Sequence, residues 1–395
     1  MPTVTDSELD RLRTFMTAQL PAYVADLERL VNIDCGTYNK AGVDEVGGWF
    51  AAQIKAMGAD VSVDHNAELG DTIVSVLEGE GGGEHALLIG HLDTVFDDGT
   101  AAGRPFSTAD GRAYGPGVND MKAGLLTGLY ALRALQSIGP LPFARVTYLA
   151  NPDEEIGSPV STPVIRETAE GVDVCFVLES ARSNGDIVSA RKGIADFIVR
   201  SEGRAAHAGV EPEKGRSAIL ELAHKTLALT ALNGRWPGVT VNVGTVRGGS
   251  RPNVIAEHCE IEVDLRAPTR PDMEAAEAEI MAIGMSNTVP DVVTTVTRRH
   301  LWWPMEKGNA TTALAISAES LGARLGFELH DASTGGASDA NTTSGMGVPT
   351  LDGLGPVGGD DHAPGEYTEI DSIVPRTVLL AAMMLTAGRD GPRRA

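Results

Sequence analysis

Four apolar runs of strand length, at 72–77, 86–92, 145–150 and 174–179, alternate with stretches of helical periodicity such as 47–57 and 122–136. Strands buried on both faces carry such unbroken apolar runs, and parallel neighbours need a crossover long enough for a helix. The alternation predicts an α/β fold, helices packed on a mostly parallel sheet. Near Lys192 the rhythm changes. "GIADFIVRSEG", "GVTVNVGTVRGG", "HCEIEVDLRAP" and "DVVTTVTRR" read as strands, with helices at 217–232 and in "RPDMEAAEAEIMAIG". Their order, β-α-β-β-α-β, is that of a ferredoxin-like unit. From about Leu301 the first rhythm returns, with helices at 310–325 and 373–385. The 395 residues exceed one ordinary core, and the expected division is one domain made of 1–191 and 301–395, interrupted by a smaller one at 192–300.

The first helix is expected to start at "SELDRL", capped by its serine, and to run to Leu30. The patch "GEGGGEH" at 79–85 reads as a turn between strands rather than a phosphate loop, and no GxxxxGK[ST] motif is present. With 32 Lys plus Arg against 54 Asp plus Glu, the formal charge is −22. Nucleic acid and anionic membrane surfaces need a positive field, so neither is an expected partner. Cys35, Cys175 and Cys259 form no CxxC pair, which argues against a disulfide framework and a thiolate zinc site. The opening residues are acidic and amphipathic rather than basic then apolar, and "VLLAAMML" is too short to cross a membrane, so a cytoplasmic protein is expected.

Acids and histidines gather where the predicted strands end. His91 and Asp93 close "LLIGHLD"; Glu154 and Glu155 follow "YLANPD"; Glu179 ends "CFVLES". Asp120 lies in the glycine-bent "YGPGVNDMKAG" before a helix, and His362 in "GPVGGDDHAPGE". A lone histidine or aspartate at a strand end is ordinarily a turn or capping residue. Capping does not require acids and an imidazole at successive strand ends, where ligands of parallel sheets bind. A donor set of imidazole and carboxylate without thiolate suits zinc, and also manganese or cobalt.

The motifs "GHLDTV", "GPGVNDMKAG", "NPDEEIGS", "LES", "RKGIADFIVRSEGRAAHAG" and "GGDDHAPGEY" run in one order along nearly the whole chain. In them the chain resembles the glutamate carboxypeptidases of the zinc-dependent carboxypeptidase G and aminoacylase-like amidohydrolase family. The resemblance implies a two-zinc catalytic domain with an inserted lid that also dimerises, so a homodimer is expected, with Co2+ or Mn2+ as substitutes for Zn2+. It implies Asp120 as the carboxylate shared by both metals, His91 and Glu179 completing one site, and Glu155 and His362 the other. It implies Asp93 as the acceptor of the second N–H of His91, and Glu154 as the general base. From the lid it implies His207 as the group that reaches the neighbouring subunit and stabilises the oxyanion, and Asn253 as a substrate contact.

The implied reaction is hydrolysis of an amide that releases a C-terminal amino acid, glutamate being the first guess, from an N-acyl or peptidyl substrate. The free α-carboxylate of that amino acid calls for a cation. Arg251, Arg298 and Arg299 are the candidates, and Arg299 is taken as the substrate-binding residue. The glycine-rich "STGGASDAN" also resembles a family loop near the substrate. "HLWWPME" departs from the family pattern. Trp302 and Trp303 either wall the substrate cleft or pack the hinge, the latter being preferred, and Cys35 has no assigned role. An N-acyl amino acid deacylase, of the acetylornithine deacetylase or desuccinylase type, keeps the chemistry with another substrate. A two-metal phosphoesterase and a non-catalytic dimeric binding protein are the more distant readings.

Overall fold

The computed structural model describes residues 4–80 and 83–390. The chain separates into two compact units. The larger holds the residues up to Ser189, then Lys307–Ser333 and those from Ser338 onward; the smaller holds Ala190–Glu306 and Thr334–Ala337.

In the larger unit, β1 (Asp60–Asp64), β2 (Thr72–Glu78), β3 (His85–His91), β4 (Arg145–Asn151) and β5 (Val174–Val177) form a sheet in the order β1-β2-β4-β3-β5. The short strand Thr350–Leu351 closes the edge beside β5. β4, β3, β5 and that last strand are mutually parallel. β1 and β2 are an antiparallel extension, because the short connection at 65–71 turns the chain straight back and leaves no room for a crossover. Leu87, Leu88 and Ile89 of β3 are buried, as a central strand covered on both faces requires.

Helices Asp6–Val31, Gly124–Ile138 and Ile370–Asp390 pack on one another. The first is capped by Thr5, not by the expected serine. The Thr5 hydroxyl accepts from the Glu8 N–H at 3.3 Å while the Glu8 carboxylate accepts from the Thr5 N–H at 2.9 Å. This reciprocal pair satisfies two orphan donors, and Ser7 already lies inside the helix. The last helix is longer than its apolar run suggested. Ile370–Arg389 has the length and composition to cross a membrane, but 67% of its most apolar stretch is buried inside the protein, as in a core helix. The glycine patch lies partly outside the described residues, at 81–82.

The smaller unit is an antiparallel sheet of β6 (Gly193–Glu202), β7 (Thr240–Gly248), β8 (His258–Ala267) and β9 (Val293–Trp302), in the order β7-β8-β6-β9. Helices Ala218–Thr230 and Arg270–Met285 pack on it. The order is that of a ferredoxin-like βαββαβ unit. β8 shows the alternation that one covered face imposes: Cys259, Ile261, Val263, Leu265 and Ala267 are buried and the residues between them are not. This unit outruns the expected 192–300. Arg191 and Met305 exchange both backbone hydrogen bonds at 3.0 Å, and the Lys192 N–H bonds the Thr334 carbonyl at 3.1 Å. The tryptophans belong to this packing. Trp302 is 6% exposed with its ring 4.9 Å from that of His300, and Trp303 packs on the unit's core with the Arg270 guanidinium 4.1 Å above its ring.

Candidate active site

β3, β4 and β5 run parallel, so their carboxyl ends open on one edge of the sheet. His91 is the last residue of β3, Glu154 and Glu155 sit in the single turn Glu154–Ile156 after β4, and Glu179 follows β5. Asp120 comes from the irregular turn Val118–Ala123, ahead of helix Gly124–Ile138. His362 enters from a late loop with φ +61°, beside Asp360 at +57°. Left-handed backbone costs a residue with a side chain roughly 1–3 kcal/mol and persists where the surroundings impose it.

The side chains converge on Asp120. His91 Nε2 lies 3.0 Å from its Oδ1 and His362 Nε2 3.1 Å from its Oδ2, so one carboxylate faces two imidazoles. Glu155 Oε2 is 3.3 Å from His362 Nε2, and Glu179 Oε1 is 3.9 Å from His91 Nε2. Two triads result, His91–Asp120–Glu179 and Asp120–Glu155–His362, each with its donor atoms within 4.8 Å of one another.

Four carboxylates thus share the site with two imidazoles, and the charges strain against one another. Burial, then the charge of Glu179, pushes Glu154 well above the usual carboxylate range. Burial also raises Glu155. His362 is pushed up to about 10 by its hydrogen bonds to Asp120 and Glu155. Burial disfavours charge on Asp120, but the hydrogen bonds from His362 and His91 outweigh it and hold the group below its ordinary range. Glu155 Oε1 is buried without a hydrogen-bond partner. Such an orphan costs about 1–3 kcal/mol. A divalent cation between these donors would relieve the repulsion, and the imidazole-carboxylate set has the chemistry to hold one in each triad.

Asp93 does more than the expected aiming of His91. The His91 Nδ1 lies 3.0 Å from the Asp93 backbone carbonyl and 3.3 Å from its carboxylate. Donation there holds a proton on Nδ1 and aims Nε2 at Asp120, so that Nε2 is the atom that would bind a cation between them. The carboxylate also accepts from the Thr37 hydroxyl at 2.6 Å and from the N–H groups of Glu154 and Glu155 at 3.2 and 3.3 Å. One buried aspartate therefore sets both the imidazole and the acidic turn.

Two supporting acids escaped the sequence reading. Glu366, buried, accepts from the N–H groups of Gly117, Asn119 and Asp120 at 2.9, 2.8 and 3.0 Å. Burial pushes it up to about 7 against those three donors. Its only signal was membership of "GGDDHAPGEY", because its partners are backbone groups that no spacing reveals. Asp339, in the glycine-rich "STGGASDAN", accepts from Ser158 Oγ at 2.6 Å and Asn151 Nδ2 at 2.8 Å, bracing the chain around the acidic turn. A Glu366→Gln variant places an amide where three N–H donors need an acceptor. It is expected to lower metal affinity about 10–100-fold with the fold intact, checked by chelator-competition titration alongside circular dichroism.

In the smaller unit, His207 and Asn253 stand on paired segments. His207 bridges to Val254, and the Ala208 N–H bonds the Asn253 carbonyl at 3.0 Å. The Gly209 N–H donates to His207 Nδ1 at 3.2 Å, so the neutral ring carries its proton on Nε2 and presents it as a donor. Arg251 is two residues from Asn253 on the same loop. Arg298 is engaged with Glu277 at 2.7 Å. Arg299 stands elsewhere, exposed at a bulge of the edge strand β9 near Asp196 and Phe197.

Residues 87–386 match the family described as peptidase family M20/M25/M40. Carboxypeptidase G2 of Pseudomonas sp. (strain RS-16) is 32% identical over 377 residues, 93% of this chain and 90% of that protein. Acetylornithine deacetylase of Pectobacterium carotovorum subsp. carotovorum (strain PC1) is 33% identical over 207 residues, 48% of this chain and 51% of its own. Among solved structures, aminopeptidase PepT from Bacillus cereus ATCC 10987 shares the fold, with a TM-score of 0.78 at 24% identity over 94% of this chain and 99% of that one. The match to the family spans most of the chain and takes in the whole cluster around Asp120, and the chain belongs to peptidase family M20/M25/M40, hydrolases of amide bonds.

Proposed function

We propose that this hydrolase is a zinc carboxypeptidase that removes a C-terminal amino acid, glutamate first, from an N-acyl or peptidyl substrate. The observation that carries the chemistry is the pair of triads sharing Asp120 with Glu154 beside them. The carboxypeptidase assignment draws on the similarity to carboxypeptidase G2 along 93% of the chain. His91 and Glu179 would hold one ion, Glu155 and His362 the other, and Asp120 both; Co2+ and Mn2+ suit the same donors. Bound there, such a pair supplies Lewis acidity toward the scissile carbonyl and a water.

The protein groups do the rest. Glu154, held out of both triads and raised by burial, accepts the water proton on a carboxylate oxygen and passes it to the departing amine nitrogen. His207 Nε2–H donates to the oxygen that gains charge at the carbonyl, reaching across a homodimer formed through the smaller unit. Asn253 contacts the same substrate. Arg299, or Arg251 two residues from Asn253 in the chain, supplies the cation for the α-carboxylate. The exposed edge strand β7, where Val246 is 68% exposed, supports the dimer. Three free, buried cysteines accord with work in the cytoplasm.

The similarity of half the chain to acetylornithine deacetylase favours one second reading, an N-acyl amino acid deacylase. Incubating zinc-loaded protein with N-acyl amino acids, dipeptides and folate-type glutamate amides, read by mass spectrometry, separates the two. Glutamate release that a chelator abolishes and added zinc restores is the expected result. Release of another amino acid moves the substrate to the deacylase side. No cleavage by protein carrying its metals defeats both.

A further inference from the structure

Helix Ile370–Asp390 carries Arg376 into the interior of the larger unit, where the residue is 2% exposed. Arginine is almost never buried so fully unless an acid pairs with it. Here the guanidinium bonds backbone instead. Nε donates to the Gly355 carbonyl at 2.9 Å, one terminal nitrogen to the Gly185 carbonyl at 2.9 Å, and the other to the Gly353 carbonyl. Burial pushes the side chain down to about 10, the mark of a charge held away from water. A charge kept in so costly a place is explained by what its three acceptors hold.

Those acceptors lie on the two stretches that flank Glu179. Gly185 belongs to the turn that follows it, closed by the Gly185 N–H on the Arg182 carbonyl at 2.7 Å. Gly353 and Gly355 belong to a strap, 353–359, that leaves the edge strand Thr350–Leu351. The strap lies flush on the end of β5. The Gly355 N–H donates to the Glu179 carbonyl at 2.8 Å, and the Ala181 N–H to the Pro356 carbonyl at 3.0 Å. A Cβ on Gly355 would stand 2.9 Å from the carbonyl oxygens of Leu178 and Glu179, so the approach needs glycine. One turn earlier on the same helix, Ser372 Oγ accepts from the Val357 N–H at 2.9 Å and fixes the strap a second time.

The loop of His362 has ties of its own. Gly358 and Gly359 pair with Thr368 and Tyr367, and Asn119 Nδ2 donates to Asp361 at 2.7 Å. The arginine therefore bears on one triad and not on the other. We propose that Arg376 is a positioning residue for the metal centre: it clamps the strap and the turn that set Glu179, and so governs the affinity for the ion that His91 and Glu179 would hold. The inference rests on the reading of Glu179 as a ligand.

The test is zinc titration against a chelator, resolving two ions, in the wild type, Arg376→Ala, Arg376→Lys, Glu179→Gln and the double variant Arg376→Ala with Glu179→Gln. Arg376→Ala is expected to weaken one ion about 10–100-fold and to leave the other unchanged. Arg376→Lys, which keeps the buried charge with fewer donors, falls between and carries the test where the alanine variant does not fold. On the Glu179→Gln background the alanine substitution adds no further loss, because both act through one ligand. Millimolar guanidinium ion restores part of the affinity in Arg376→Ala, whereas urea, of the same shape without the charge, does not. A general packing role would show no such pattern. Equal weakening of both ions, affinities equal to the wild type, further loss in the double variant, equal rescue by urea, or a lysine variant that does not fold overturns the assignment. Wild-type affinity for both ions in Glu179→Gln is a separate failure: it removes Glu179 from the ligand set, and the role of Arg376 falls with it.

Discussion

Replacing Glu154 by glutamine is expected to lower kcat by about 10²–10⁴-fold on the best substrate while both metals stay bound. Among the described residues, the Glu154 carboxylate has no hydrogen-bond partner, although its neighbour Glu155 is tied to His362. Burial and the adjacent Glu179 charge make this carboxylate a stronger base than an exposed one, which suits a group that takes a proton and returns it within one turnover. Glutamine keeps the shape and cannot accept that proton. Neither triad includes residue 154, so elemental analysis of the variant should match the wild type. Steady-state kinetics with that analysis separates two failures. A normal rate would transfer the role of base to another group, and a loss of metal would move Glu154 into the ligand set.

How much of this was readable before folding depends on what each residue bonds to. The parallel core was legible because β3, β4 and β5 carry unbroken apolar runs, and His91, Glu155 and Glu179 were legible because they interrupt those runs at the same end. The ferredoxin-like unit was legible from alternation such as that of β8. Asp120 was placed by motif resemblance, since nothing local to a glycine-bent loop says that two histidines separated by most of the chain will meet there. The direction of β2 was missed, because an apolar run does not record which way its neighbour points. So was the extent of the smaller unit, which depends on backbone pairing of Lys192 with Thr334. Glu366 and Asp339 were missed for a related reason: both bind groups that acquire their positions only after folding. Arg299, taken as the cation for the substrate carboxylate, stands exposed at a bulge of the edge strand β9, and Arg251 shares a loop with Asn253.

Exchanging Asp120 for alanine is expected to empty both metal sites together and to abolish activity. Each triad counts Asp120 among its three members, so one substitution leaves two donors on either side. Alanine also removes the negative charge that both imidazoles face, at 3.0 and 3.1 Å, and leaves Glu154, Glu155 and Glu179 with no shared cation between them. The loss of metal affinity should exceed the 10–100-fold expected of Glu366→Gln, because Glu366 only aims the turn that carries the ligand. That ranking is the informative part. Zinc titration against a chelator gives the affinities, and thermal unfolding gives an independent measure, since a cation that binds only the folded state raises Tm with its concentration. Added zinc should raise Tm strongly in the wild type, less in Glu366→Gln and not at all in Asp120→Ala. Retention of one full equivalent by Asp120→Ala would show that the triads hold their ions independently, and would end the assignment of Asp120 as the shared carboxylate.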